Sequence, residues 1–194
     1  MGRPAKHRED DFIDAAATLF AEGGARAVTM SAVARAVGAP SGSVYHRFAD
    51  RPALLAAVWT TTLRAFHAGY LDALGPDPSP RSVAAAGEWI VRWCGRAPGR
   101  AAVLHAGVRA FEPDSWSEQA RADLAAIETT QQRIVASIVD RLAETTGLPA
   151  DQLAFAVIDL PLAAVRRHLL AGQAPPASTG TLVRHLTERL LRPR

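Results

Sequence analysis

At 194 residues, with 48% hydrophobic and 21% charged side chains, the chain has the composition of a folded globular protein and not of a disordered tract. No run approaches the roughly 20 apolar residues of a membrane span, and Glu9, Asp10, Asp11 and Asp14 interrupt the stretch where a secretory signal would be apolar, so the expectation is a cytoplasmic protein. A single cysteine, Cys94, excludes an internal disulfide and a multi-cysteine zinc site, while a formal charge of +3 permits a nucleic-acid partner without demanding one.

Helical periodicity runs from end to end. Phe12, Ile13, Ala16, Leu19 and Phe20 share one face of a first helix, which Gly23-Gly24 stops. Thr29 then caps a two-turn helix whose buried face is Met30, Val33, Ala34 and Val37 and which ends at Gly38. A third short helix is predicted from Ser41 to Phe48. Asp50 caps a fourth, with Pro52 in its first turn, and the stripe Leu55, Val58, Trp59, Thr62, Phe66, Tyr70 continues it to about Leu74. The strongest break follows at GPDPSP, residues 75–80. Looser breaks at 95–99, 111–116, 146–151 and 172–178 separate further helical segments with no clear alternating strand. The predicted fold is all-α, with an N-terminal three-helix head (1–51) joined by a long fourth helix to a C-terminal helical bundle within 52–194.

On a helical wheel of the third segment, Val44 and Phe48 face a core, Gly42, Ser43 and His46 gather opposite, and Tyr45 and Arg47 flank them. Gly42 at an exposed helix position costs roughly 1 kcal/mol against alanine, which is tolerable where another surface must approach the backbone closely. Two short helices joined at a glycine, the second exposing small polar side chains, form a helix-turn-helix suited to the major groove of DNA.

Together these residues make the stretch from Phe12 to Leu55 resemble the DNA-binding head of the TetR family of transcriptional regulators. The matching positions are Ala16, Ala17, Leu19, Phe20, Gly24, Val28, Thr29, Val33, Ala34, Val37, Gly38, the run from Gly42 to Phe48, Arg51, Leu54 and Leu55. Pro40 and Ser41 stand where the family often has serine and lysine, and Arg51 where it usually has lysine. The resemblance covers roughly a quarter of the chain. It implies a homodimer on a pseudo-palindromic operator, acting most commonly as a repressor, with a divergent body that binds a small-molecule effector. It also implies backbone or base contacts from Thr29, Ser31, Ser41, Gly42, Ser43, Tyr45, His46, Arg47 and Arg51, with Arg47 the candidate for guanine and Arg51 for phosphate. Arg3 and Lys6, beside His7 and Arg8, would form a basic arm.

In the body, candidate effector contacts are Phe66, His67, Tyr70, Glu88, Trp89, Trp93, His105, Arg109, Trp116 and Gln131, a set in which tryptophans would stack on an apolar molecule and Glu88 or Arg109 would anchor it. An aromatic stripe at helical spacing serves a core equally well. The segment 152–171 is apolar on more than one face, and its Leu153, Val157, Leu160 and Leu169, with Leu182, Leu186 and Leu190 of the last helix, are candidates for the dimer contact. Pro161 should kink that segment. No cofactor or metal is expected. His185 and Glu188 lack a third catalytic partner, so an enzyme is disfavoured. A DNA-binding factor without a ligand is the alternative, and a protein-interaction module a third reading.

Overall fold

A computed structural model describes residues 7–192, and among them every regular element is helical. The α-helices are α1 (Glu9–Gly23), α2 (Met30–Val37), α3 (Ser41–Tyr45), α4 (Arg51–Leu74), α5 (Pro80–Arg96), α6 (Pro98–Ala106), α7 (Glu118–Thr146), α8 (Ala150–Ala154), α9 (Leu160–Leu170) and α10 (Ala177–Leu190). Short 3-10 turns follow α1 and α6, and a π turn (Phe155–Asp159) joins α8 to α9. At 24 residues α4 is about 36 Å long. No single helix among the described residues is long and apolar enough to cross a membrane.

The chain forms two compact units, each discontinuous in sequence: Met1–Leu63 with Gly99–Leu124, and Arg64–Pro98 with Ala125–Arg194. Both α4 and α7 run from one unit into the other.

In the first unit, α1, α2 and α3 close over Phe12, Ile13, Phe20, Val33, Val44 and Phe48, and the core continues into residues 99–124. Phe111, with no exposure, stacks on Phe20 at 4.4 Å between ring centroids and meets Trp59 at 5.5 Å. Trp116 is buried and donates its indole N–H to the Phe111 carbonyl at 2.8 Å. At Gly99 a Cβ would lie 3.1 Å from the Ala17 and Thr18 backbone, so α6 starts against α1 at a distance that a larger residue would have to widen by a few tenths of an ångström. Arg100 then donates to Asp14 at 2.6 Å.

In the second unit α5 and α10 are in close contact. Gly87 on α5 faces Val183, and Gly180 on α10 faces Glu88 and Val91. Glu88 pairs with Arg184 and with Arg92, both at 3.1 Å. The sequence-predicted kink at Pro161 takes the form of the π turn: proline has no N–H for the Val157 carbonyl four residues back, and the buried Tyr70 hydroxyl donates to that oxygen at 3.4 Å.

Candidate functional site

The local signals of the head act as their chemistry dictates. Thr29 takes extended backbone angles and its hydroxyl accepts the Ala32 N–H at 3.1 Å, which starts α2. Gly38 adopts φ 69°, ψ 30° and closes the last turn of α2, turning the chain toward α3. The regular part of α3 ends at Tyr45, short of the predicted Phe48. The Phe48 N–H still reaches the Val44 carbonyl at 2.9 Å, so the last turn tightens without unwinding.

Ser41, Gly42, Tyr45 and His46 are exposed, Tyr45 by 58%, while Ser43 is half-buried and Val44 and Phe48 face the core. Thr29 is half-buried and Ser31 exposed, with their hydroxyls 3.3 Å apart beside the free N–H groups of the α2 terminus. This is a surface of neutral donors and acceptors with one imidazole.

Two arginines differ from expectation. Arg47 donates to the Ser43 carbonyl at 2.9 Å and to the His7 carbonyl at 2.8 Å, and its guanidinium lies 4.7 Å from the centre of the Phe12 ring. It ties α3 to the start of α1; a guanine would have to displace these contacts. Arg51 donates to the Val28 carbonyl at 3.0 Å, to the Ala25 carbonyl at 2.7 Å and bidentately to Glu112 at 2.7 and 3.0 Å. Four of its five N–H groups are thereby engaged within the protein, where they clasp the head. Glu112 sits in the left-handed region at φ 57°, and Arg51 holds its carboxyl below the usual carboxylate value. The Glu112 hydrogen bond in turn raises Arg51. Arg3 and Lys6 lie outside the described residues.

The candidate effector residues fall in different units. In the second, Phe66 meets Trp93 at 5.0 Å and Trp89 at 5.6 Å between centroids, and Trp89 covers Gly69 so closely that a Cβ there would lie 2.3 Å from its ring. Phe66, His67, Trp89, Trp93 and Gln131 are all half-buried, and burial lowers the His67 pKa. Tyr70 is buried against Val157, where desolvation pushes its pKa to about 12, and Glu88 is held by two arginines of α5 and α10. In the first unit Trp116 is core, Arg109 is exposed and His105 is half-buried. The Cys94 thiol is pushed up to about 11 by burial, which leaves it little thiolate at neutral pH.

The dimer candidates also sort by burial. Leu153 and Val157 are buried within their own unit, and Leu160, Leu169 and Leu190 are half-buried. Leu182 and Leu186 are exposed, together with Phe155, Leu162 and Leu170, which sequence reasoning did not single out. Among the described residues, no three His, Cys, Asp or Glu side chains converge in a metal-holding group.

A capped helix, a left-handed glycine and a second short helix with exposed polar side chains, within an all-helical chain, form a helix-turn-helix. Residues 12–58 match the family "Bacterial regulatory proteins, tetR family". The HTH-type transcriptional repressor KstR2 of Rhodococcus jostii (strain RHA1) is 46% identical over 48 residues, which are 25% of this chain and 24% of that protein. The matched stretch thus spans about a quarter of that relative's length. Over nearly the whole chain the fold is that of PfmR from Thermus thermophilus (TM-score 0.72, 19% identity, 98% of each chain). It is similar also to ketosteroid transcriptional regulator KstR2 of Mycobacterium tuberculosis (0.70, 18%, 95% of each). FadR from Bacillus subtilis, solved in complex with stearoyl-CoA, has TM-score 0.69 at 15% identity, over 93% of this chain and 97% of that one. Residues 12–58 thus carry the DNA-binding sequence of the TetR family, and the chain as a whole has the all-helical fold of solved TetR-family regulators.

Proposed function

We propose that the protein is a cytoplasmic, ligand-responsive repressor that binds a pseudo-palindromic operator as a homodimer and is released by a small lipophilic effector, with residues 1–51 serving DNA and 52–194 serving regulation. The observation that carries this reading is the exposed surface of α3 beside the α2 terminus. Ser41, Gly42, Ser43, Tyr45 and His46 enter the major groove there, Thr29 and Ser31 present the α2 N–H groups to phosphate, and Arg47 and Arg51 hold the head that does so. The exposed Leu162, Leu182 and Leu186, with Phe155 and Leu170, support a two-fold contact built from α9 and α10 of each subunit. The half-buried Phe66, Trp89 and Trp93 cluster supports an apolar effector, as does the stearoyl-CoA bound by a protein of similar fold. Effector bound against the Phe66 end of α4 would alter the register of the two heads. A hundredfold loss of operator affinity needs about 2.7 kcal/mol of coupling. The test is to pass genomic fragments over the purified protein, sequence those retained, and measure their affinity as a function of salt. Inverted repeats with half-sites about one DNA turn apart are expected. Retained fragments without inverted symmetry refute the dimeric repressor.

A further inference from the structure

Polar side chains closed off from solvent normally find partners, and the helical threonines of this protein show the usual way. Thr60 donates to the Ala56 carbonyl at 2.8 Å, and Thr146 to that of Leu142 at 2.6 Å. Among the described residues three buried side-chain atoms have no partner: Trp59 Nε1, Thr62 Oγ1 and Thr187 Oγ1. Thr187 lies alone on α10. Trp59 and Thr62 differ in that they lie three residues apart on α4, hence on the same side of that helix with their Cβ atoms about 5–6 Å apart. Both belong to the first unit, Trp59 exposed by 7% and Thr62 by 0%.

The chemistry of the pair is specific. An indole offers an N–H and nothing else, while a hydroxyl that has declined its own i−4 carbonyl has a proton to give. Each loses its hydration on burial without regaining a bond, an arrangement that native structures keep only where something else satisfies it. The surroundings of Trp59 are apolar, with Leu55, Val58 and the Phe111 ring in the same buried cluster, and Thr62 lies on the next turn of the helix. An anion there would need a cation, and α4 contributes to the ion pairs among the described residues only through Arg51, at its opposite end from this unit's boundary. A neutral oxygen with two lone pairs can accept from both kinds of donor and needs no cation. A water would accept both bonds but leave its own two hydrogens seeking acceptors in an apolar site.

We propose that Trp59 and Thr62 form a two-donor subsite that receives a neutral carbonyl oxygen, from a ketone or an ester, on an otherwise apolar effector. The proposal rests on the ligand-responsive reading above and adds the chemical class of the ligand.

The experiment uses nitrogen-15-labelled full-length protein, whose four tryptophans give four indole N–H resonances assigned by single Trp→Phe changes. The probes are 2-undecanone, methyl decanoate and cyclododecanone, with undecane as the matched compound lacking an acceptor. The expected result is a downfield shift of the Trp59 indole proton with at least one carbonyl probe and none with undecane. Thr62→Val, near-isosteric and rid of an unpaired hydroxyl, should be at least as stable as the parent and should bind the carbonyl probe about tenfold more weakly while leaving undecane unaffected. Should that variant not fold, the resonance of the parent protein decides alone. A Trp59 indole unmoved by all three probes, an unchanged affinity in Thr62→Val, or a crystal structure with a bound probe whose carbonyl lies elsewhere and an ordered water on both donors overturns the subsite. Operator competition keeps the two readings apart. A carbonyl compound that shifts Trp59 without changing operator affinity preserves the subsite and refutes the control it was tied to; a compound that releases operator without moving Trp59 does the reverse.

Discussion

Arg51→Met should destabilise the head without changing how it senses salt. The methionine keeps the apolar stem and removes the guanidinium, so the Val28 and Ala25 carbonyls lose their donor and Glu112 loses its partner. Hydrogen bonds from a charged donor contribute about 1.5–3 kcal/mol each, and a largely exposed ion pair about 0.2–1. The Arg51 side chain is 29% exposed, so the low end applies to the carbonyl bonds, and the whole clasp is worth about 3–4 kcal/mol. Glu112→Gln, which leaves both carbonyl bonds in place, should cost less than about 1 kcal/mol. Urea unfolding followed by tryptophan fluorescence measures the difference, and operator affinity measured between about 50 and 200 mM salt supplies the second readout. If Arg51 is a clasp, Arg51→Met lowers affinity through the fraction of competent head and leaves the slope of log affinity against log salt intact. A slope flattened by about one unit means that a phosphate contact was lost. Either that flattening or equal destabilisation by the two substitutions would refute the clasp.

Gly99→Ala should lower stability by about 1–3 kcal/mol in thermal unfolding, because the added methyl meets Ala17 and Thr18 backbone that cannot yield as a side chain would. Leu153→Ala should cost about 2–5 kcal/mol with the oligomeric state unchanged, whereas Leu182→Asp should give a folded monomer by sedimentation. Because Arg51 lowers the Glu112 pKa, the folded state binds fewer protons there than the unfolded chain. The stabilisation is therefore complete above the ordinary carboxylate value of 4.5 and disappears as pH falls below it, and Glu112→Gln should flatten that part of an acid titration. His46→Ala should change the preferred operator sequence in a library selection, while Arg47→Ala should weaken all operators alike by loosening α3 from α1.

The parts of the fold set by neighbours in sequence were legible. Thr29, Gly38, Asp50 and the α4 stripe act through bonds three or four residues away, and each does what its residue type suggests. What the sequence did not show is which candidate side chains have distant partners: Arg51 meets Glu112, Arg47 meets His7, Glu88 meets Arg184, and Tyr70 meets Val157. Nothing in a periodicity reveals such a partner. The segment 152–171 is apolar on more than one face, and its π turn shifts the phase of the helix, so the sequence alone does not separate the buried Leu153 from the exposed Phe155 and Leu162. No such turn interrupts α10, and Leu182 and Leu186, four residues apart, are both exposed on it.

The packing of Phe111 between Phe20 and Trp59 also sets an order of events during synthesis. The core under α1 takes in side chains from Val103 to Leu124, so a nascent chain extruded as far as Leu63 still exposes the Phe20 and Trp59 faces that those residues cover. At about 5–20 residues per second, the 61 residues from Leu63 to Leu124 take on the order of 3–12 s to appear. For that interval the head is an apolar surface awaiting its cover, and α5 must be made, and set aside, before the first unit of the protein can close.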